Sequence, residues 1–356
     1  MDGTMSNGDV VGKSEIGESN GNVVAGASEI GGNTTTATTT AKYSDDEWIR
    51  LGEQHHTEER YLAAGRCFES VIDTTKLTKD HLRIMEMANV TKDTIPQLIS
   101  PNPKDEGWKQ QGHKHGFRNT MLYYRIKHPE NIIVSRLETP IECSLLCPLL
   151  SVLNESSLYH TWMPHWDFPK LGLSESNLIK EMGRGHQIIQ IHLDTPYPFA
   201  NRECYLHAYA VDCIDELDLN AIYVKIHSYD TGSHYEIDIP EVPVGFRRAG
   251  LGAALLIRPC PPDHPSLVDS KCHYPEGEKL LLITMMLEAD GRVANVPLSI
   301  INFITRSVLG KQWAVLLQIA EDVRSGTRVS HQSAINKKQE LYGWIEERVK
   351  VMLDKM

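Results

Sequence analysis

Closely spaced segments of period-two hydrophobicity, with no long helix between them, constrain the fold of this chain most strongly. In residues 187–194, for example, Ile189, Ile191 and Leu193 alternate with polar residues. Similar or wholly apolar segments occur at 121–127, 132–137, 202–212, 220–228, 252–259 and 280–287. Strands that follow one another without crossover helices pair antiparallel. The sequence therefore predicts an antiparallel sheet across this part of the chain.

A long amphipathic helix is predicted after the last strand. Pro297 suits the first turn of a helix, where its missing N–H costs nothing, and Gly326 suits the end. Apolar residues recur between them at helical spacing: Ile301, Ile304, Val308, Val315, Ile319 and Val323. The predicted fold class is α+β, a helix-grip fold in which a curved antiparallel β-sheet wraps around a long C-terminal helix and encloses a hydrophobic cavity.

Composition divides the chain into four parts. Residues 1–42 are rich in Gly, Ser, Thr and Asn, and we expect a disordered tail. Residues 43–114 form a helical extension whose first two helices have the spacing of a tetratricopeptide hairpin. One such repeat cannot build a solenoid, so we expect this pair to pack on a larger domain. That domain covers 115–326, and 327–356 form a C-terminal amphipathic helix.

Charge and composition exclude several classes of protein. The chain of 356 residues has a formal net charge of −11, which argues against nucleic-acid binding. No segment reaches the roughly 20 apolar residues of a membrane span, and the N-terminus has no secretory signal pattern. The seven cysteines are therefore expected to be reduced thiols. These features indicate a cytoplasmic protein, at most peripheral at membranes, that needs no cofactor.

Several motifs, taken in order, resemble the START (StAR-related lipid-transfer) domain family over about residues 115–326. They are Trp162 near the domain start, the prolines at 196 and 198 before Arg202 and Tyr205, the proline-bearing segment 239–247, and Asp290-Gly291 followed by Pro297 and Asn302. Glu203 replaces the usual Asp after the motif arginine. Some sterol-binding members have an arginine where this chain has Ala208, which argues against a sterol headgroup ion pair of that type.

The resemblance implies a hydrophobic tunnel that holds one lipid under the C-terminal helix. Alternation from Arg202 turns Cys204, Leu206, Ala208 and Ala210 towards this space, a small and mostly apolar set. The candidate ligand-binding residues are Trp162, Arg202, Cys204, Leu206, Ala208, Met285, Ile301, Ile304 and Val308.

Access to the tunnel is expected to depend on the loop 228–246 and on the helix 297–324. Ile239, Pro240 and Pro243 are the candidate lid residues. Arg247, Arg248 and Lys311 form a candidate basic spot for transient contact with anionic lipid headgroups.

Two other functions remain open at this point. The terminal helices could bind a protein partner, which would make the chain an interaction module with a degenerate cavity. A cyclase-like enzyme on the same scaffold is the second alternative, since His160, His165, His192, His207, His227 and His234 could supply acid–base groups. However, no nucleophile with its base is recognisable. Cys143 and Cys147 share a helix face but lack the second pair of a zinc site, so no metal is predicted.

Overall fold

The computed structural model describes residues 43–100, 107–114, 118–127, 132–163, 165–168, 170–197, 199–268, 274, 277–290 and 309–356, with the backbone alone at 111–114 and 290. The predicted tail 1–42, the turn 128–131, and Pro297, Ile301, Ile304 and Val308 of the predicted long helix lie outside these residues. Residues from Tyr43 to Met356 belong to one compact unit.

The described helices are α1 (Asp45–Thr57), α2 (Tyr61–Glu69), α3 (Lys79–Ile99), α4 (Leu146–Asn154), α5 (Gly310–Arg324), α6 (Val329–Lys337) and α7 (Gln339–Asp354). Short 3-10 helices occur at Thr74–Lys76, Cys143–Leu145, Ser156–Thr161 and Pro265–Leu267. The strands are β1 (Lys109–Lys114), β2 (Thr120–Lys127), β3 (Ile132–Glu142), β4 (His165–Asp167), β5 (Lys170–Gly183), β6 (His186–Asp194), β7 (Asn201–Cys213), β8 (Ala221–Tyr229), β9 (Ser233–His234), β10 (Ile237–Asp238), β11 (Phe246–Arg248), β12 (Gly250–Pro259) and β13 (Leu280–Asp290).

The fold is α+β, as predicted, and is organised around one large sheet. Its strand order is β1-β2-β3-β13-β12-β8-β7-β6-β5-β4, and neighbouring strands along this path are antiparallel. The short β11 adds to β7 in parallel, and β9 and β10 form a separate hairpin. The absence of crossover helices between the strands of β5–β8 is the reason for the antiparallel pairing.

Helices cover the sheet on both faces. On the face that carries α5, here the α5 face, Leu255 and Ile283 pack with α4 and with Trp313 of α5. On the opposite face, here the α3 face, Leu256 and Met286 pack with α2 and α3. The two layers explain why the segment 280–287 is apolar at consecutive positions, since both faces of the strand are buried.

The N-terminal helices form as their sequence predicts and pack on the sheet. Ser44 caps α1 in a capping box with Glu47. A Cβ at Gly52 would collide with the ring of Phe68, so the glycine permits the close approach of α1 and α2. The third helix is longer than the predicted 79–90. It continues to Ile99 because Ile95 and Leu98 are buried against the α3 face.

The C-terminal region differs from the single helix predicted for 331–356. Gly326 ends α5 with φ of +76°, as predicted. Lys338 then leaves the helical conformation and separates α6 from α7. Its ammonium contacts Glu181 at 2.6 Å and Glu155 at 3.4 Å. None of the described helices is both long and apolar enough to span a bilayer.

Candidate functional site

A cavity that we call the apolar cavity lies on the α5 face between the sheet, α4 and α7. It contains about 1020 Å³ of space outside atoms, including its open mouth. Ala208, Ala210, Ile222, Val224, Ile226 and Leu255 form its floor, and Leu150, Leu153, Tyr159, Leu341, Trp344 and Ile345 form its roof and wall. A largely aliphatic and aromatic lining of this kind suits an apolar ligand.

Polar groups at the edge of the apolar cavity are paired with one another. The Gln187 amide donates to Asn154 Oδ1 at 2.9 Å and accepts from Ser156 Oγ at 2.9 Å. At the mouth, the backbone N–H of Arg184 donates to Glu59 Oε1 at 2.9 Å. The Gln187 amide is thus paired within the protein, whereas Glu59 Oε2 has no hydrogen-bond partner among the described residues and lies 3.8 Å from the Arg184 guanidinium.

Helix α7 closes one side of the apolar cavity and is attached through ion pairs. Arg348 contacts Asp212 at 2.5 Å and Asp215 at 2.6 Å, and Lys355 contacts Asp215 at 2.5 Å. The Lys355 ammonium and then the Arg348 guanidinium hold the pKa of Asp215 below its ordinary value. The guanidinium of Arg184 lies 4.9 Å from the ring centre of Trp344. The sequence did not indicate this wall, because an amphipathic helix does not reveal which surface it covers.

The predicted ligand-binding residues occupy different parts of the α5 face. Ala208 lines the apolar cavity. Cys204 and Leu206 belong to a neighbouring cluster with Leu173 and Ile191. Met285 packs at the edge of the core that contains α5.

Two further predicted ligand-binding residues, both of them buried, lie outside the lining of the apolar cavity. Trp162 packs edge-on against Tyr159 at 5.6 Å. Arg202 donates to the carbonyl of Ala200 at the start of β7.

The predicted lid segment lies away from the apolar cavity. Ile239, Pro240 and Pro243 are absent from the cavity lining within the described residues. The β9–β10 hairpin instead turns to the α3 face, where Tyr235 contacts Met87 and lies 4.7 Å from the guanidinium of Arg83.

One member of the predicted basic spot needs correction. Arg248 is only 5% exposed and donates to Glu203 Oε2 at 2.9 Å and to the Pro240 carbonyl at 2.7 Å. A guanidinium buried against a carboxylate cannot reach a membrane surface. Arg247 and Lys311 are exposed.

Several histidines converge on the α3 face in a second space, which we call the polar cavity. It contains about 950 Å³ including its mouth, between α3, β7, β8 and the β9–β10 hairpin. It is lined by Arg83, Glu86, Met87, Val90, His207, Tyr209, Lys225, His227, Tyr229, His234 and Tyr235. Three of them, His207, His227 and His234, are candidate acid–base groups in the sequence, but their spacing gives no reason to expect them in one place.

A fourth histidine adjoins the polar cavity. His186 Nε2 lies 2.6 Å from His207 Nε2, and burial lowers the pKa of His186 to about 4. Within the described residues, no three His, Cys, Asp or Glu side chains are placed to hold a metal ion. Cys143 and Cys147 pack against the core instead.

Comparisons with solved structures return similar proteins of low sequence identity. The human StAR-related lipid transfer protein 5 is 12% identical over 67% of this chain and 97% of its own, with a TM-score of 0.48. Human STARD10 is 12% identical over 64% and 78%, with a TM-score of 0.44.

A STAR-related lipid transfer protein from Xanthomonas axonopodis is 16% identical over 61% of this chain and 99% of its own, with a TM-score of 0.41. No protein-family model and no curated protein matches the chain. Two of these three solved structures are named as StAR-related lipid transfer proteins.

Proposed function

We propose that this protein binds one lipid in the apolar cavity and transfers it between membranes. The observation that carries the proposal is the aliphatic floor formed by β7, β8 and β12, which lines the apolar cavity opposite residues of α4 and α7. Each methylene that leaves water contributes about 0.8 kcal/mol, so burial of about ten drives binding. Among the described residues, the charged side chains of the lining face each other in pairs, Glu59 with Arg184 and Asp212 with Arg348. No specific contact favours either alternative function.

Native mass spectrometry of the purified full chain tests the proposal. We expect a population heavier than the apoprotein by the mass of one lipid, and exchange of that lipid with liposomes that contain labelled sterol and phospholipid. If the purified protein carries no lipid and takes up neither the labelled sterol nor the labelled phospholipid from the liposomes, the proposal is wrong.

We further propose that α7 is the gate of the apolar cavity. The described parts of the loop 228–246 and of α5 do not line this cavity, whereas four residues of α7 do. The ion pairs that attach α7 are partly exposed, and such pairs contribute about 0.2–1 kcal/mol each. Val349 and Met352 bury the other side of α7 in the core, so its opening is a local event of low population that the ion pairs help to control.

The double variant Arg348→Gln, Lys338→Gln is expected to exchange lipid about fivefold faster. Loss of about 1 kcal/mol of attachment raises the open fraction by this factor.

Exchange should also accelerate as the pH falls towards the lowered pKa of Asp215, because a protonated carboxyl no longer pairs with Lys355 and Arg348. Stopped-flow transfer of a fluorescent lipid measures both effects.

The matched control for the gate is Lys76→Gln, which removes a comparable pair with Asp46 at 2.8 Å far from the cavity lining. It should leave the exchange rate unchanged. Equal acceleration by the control and the double variant would contradict gating by α7.

Three loops at one end of the sheet support a membrane-contact proposal. Phe168 and Tyr197 are each 97% exposed, and Val244 is fully exposed. Strand pairing brings their loops together, because Gly172 is opposite Asp194 and Phe246 is opposite Asn201. Large apolar side chains exposed on adjacent loops typically mark an interaction surface. Arg247 beside them supplies a local positive charge, which a chain of net charge −11 needs at an anionic bilayer.

Serine at Phe168, Tyr197 and Val244 is expected to weaken binding to anionic liposomes at least tenfold. Three apolar side chains then no longer leave water on contact. Liposome co-sedimentation measures binding, and loading from detergent-dispersed lipid should not change. Ile72, Leu82 and Val329 are exposed apolar residues elsewhere, and serine at all three is the control. Equal losses in the two triple variants would refute this surface.

A further inference from the structure

In the polar cavity, Lys225, His227 and the exposed Glu86 have no hydrogen-bond or ion-pair partner within the described part of the chain. Lys225 and His227 both project from β8 on the α3 face, two residues apart. Neighbouring charges are already neutralised: Arg83 pairs with Asp80 at 2.7 Å, and Glu288 pairs with Lys127. The Lys225 ammonium is therefore the unpaired positive charge of this space.

The surroundings of Lys225 make an unpaired ammonium costly. The side chain is half-buried, and burial lowers its pKa, with Lys127 adding repulsion and Glu288 opposing it. Burial and then the charge of Lys225 lower the pKa of His227 to about 4, so this imidazole is neutral at pH 7. The one acid of the lining, Glu86, is exposed to solvent, although its charge still acts on Tyr229 and Tyr235. An anion that enters would compensate the buried charge.

Flat rings form the walls around these groups. Tyr229 and His234 stack with centroids 3.7 Å apart and planes within 7°. His227 stands edge-on to Tyr229 at 5.0 Å and to His207 at 4.8 Å. His207 also stacks on Tyr229 at 5.7 Å, so a planar guest would meet the edges of this set of rings. Hydrogen bonds hold the set, because Tyr229 Oη lies 3.0 Å from His207 Nδ1 and His234 Nε2 lies 2.9 Å from the Thr231 carbonyl.

We propose that the polar cavity is a second ligand site, which binds a planar aromatic ring bearing a carboxylate or a phosphate. The anionic group contacts the Lys225 ammonium, His227 donates a hydrogen bond to it, and the ring lies against Tyr229 and Tyr235. The site lies on the α3 face, whereas the proposed lipid site lies on the α5 face. The two sites are therefore independent.

Isothermal titration of the full chain with benzoate and with phenyl phosphate tests the proposal. Binding of at least one probe is expected, with tenfold or greater loss for neutral benzamide and a clear loss for the non-planar cyclohexanecarboxylate. Lys225→Met, which keeps an unbranched side chain of similar length but removes the charge, should weaken binding tenfold or more. Lys350→Met removes an exposed lysine of α7 and should change nothing.

Two results would overturn the site. One is the absence of binding by both probes, and the other is equal affinity in Lys225→Met and the wild-type chain. Proton NMR of the imidazole C–H groups provides an independent reading, since bound benzoate should shift the signals of His227 and His234. A probe that binds but is displaced by lipid, with no such shift, would lie in the apolar cavity and would also refute the proposal.

Discussion

Replacement of Ala208 with tryptophan is expected to reduce lipid loading tenfold or more while the domain stays folded. Ala208 lies on the cavity floor, between Gln187 of β6 and Ile226 of β8. An indole at this position fills space that the ligand would occupy. Displacement of two methylenes costs about 1.6 kcal/mol, which corresponds to slightly more than a tenfold loss of affinity. Native mass spectrometry after incubation with liposomes measures the loaded fraction.

The control is the same substitution at an exposed position. Ala314 on α5 faces solvent, so Ala314→Trp should leave loading unchanged. Overpacking can itself destabilise a fold by about 1–3 kcal/mol, and thermal unfolding separates that effect from loss of the cavity. If Ala208→Trp is unfolded, Ala208→Leu supplies a smaller obstruction with a correspondingly smaller loss. Full loading of a folded Ala208→Trp protein would show that the ligand does not bind where we propose.

The substitution Arg136→Met is expected to destabilise the protein by about 3–5 kcal/mol, the range for removing one partner of a buried ion pair. The Arg136 side chain is 1% exposed and donates to Glu138 Oε1 at 2.6 Å. It also donates to the carbonyls of Gln97 at 2.8 Å and Ser100 at 2.9 Å, at the end of α3. Its loss leaves a buried carboxylate and helix carbonyls without a donor. Urea unfolding measures the effect, and hydrogen exchange should increase at the end of α3 first.

The pH dependence of the stability loss in Arg136→Met tests whether the ion pair with Glu138 is its cause. Burial raises the pKa of Glu138, but the hydrogen bond from His264 and the charge of Arg136 more than offset this, so the pKa lies below its ordinary value. Its ionised form therefore stabilises the wild-type protein above about pH 4.3, and this contribution disappears as the pH falls through the folded-state pKa. In Arg136→Met the carboxyl protonates more readily. The difference in free energy of unfolding between Arg136→Met and the wild-type protein should therefore become smaller as the pH falls towards 4.

A second substitution separates the ion pair from simple loss of packing. Adding Glu138→Gln to Arg136→Met should recover part of the stability, because the uncompensated charge is gone. Arg50→Met, at an exposed position, is the matched control and should change the free energy of unfolding by less than about 0.5 kcal/mol. A loss in Arg136→Met no larger than in this control would contradict the assigned role.

Regular patterns in the sequence predicted the regular elements. The alternation in 187–194 and 220–228 corresponds to β6 and β8, because an apolar residue at every second position fixes which side of the strand faces the apolar layer. The long strand β5 escaped prediction. Its pairing with β6 shifts register between Leu173 and Glu175, between Leu178 and Lys180, and between Glu181 and Gly183. Each bulge breaks the period of two, so no single alternation runs through the segment.

The sequence by itself determined the fold class, the N-terminal helical pair, the end of α5 at Gly326 and the small residues of β7 that leave room on the α5 face. These features depend on the spacing and the alternation of apolar residues, which are properties of residues close together in the chain. Only the tertiary structure decided that α7 walls the apolar cavity, that Arg248 is buried against Glu203, and that His207, His227 and His234 meet Lys225 on the α3 face. These contacts join residues far apart in the chain, and an amphipathic helix or a charged side chain accepts many partners equally well. The packing of the whole sheet between its two helical layers selects among them.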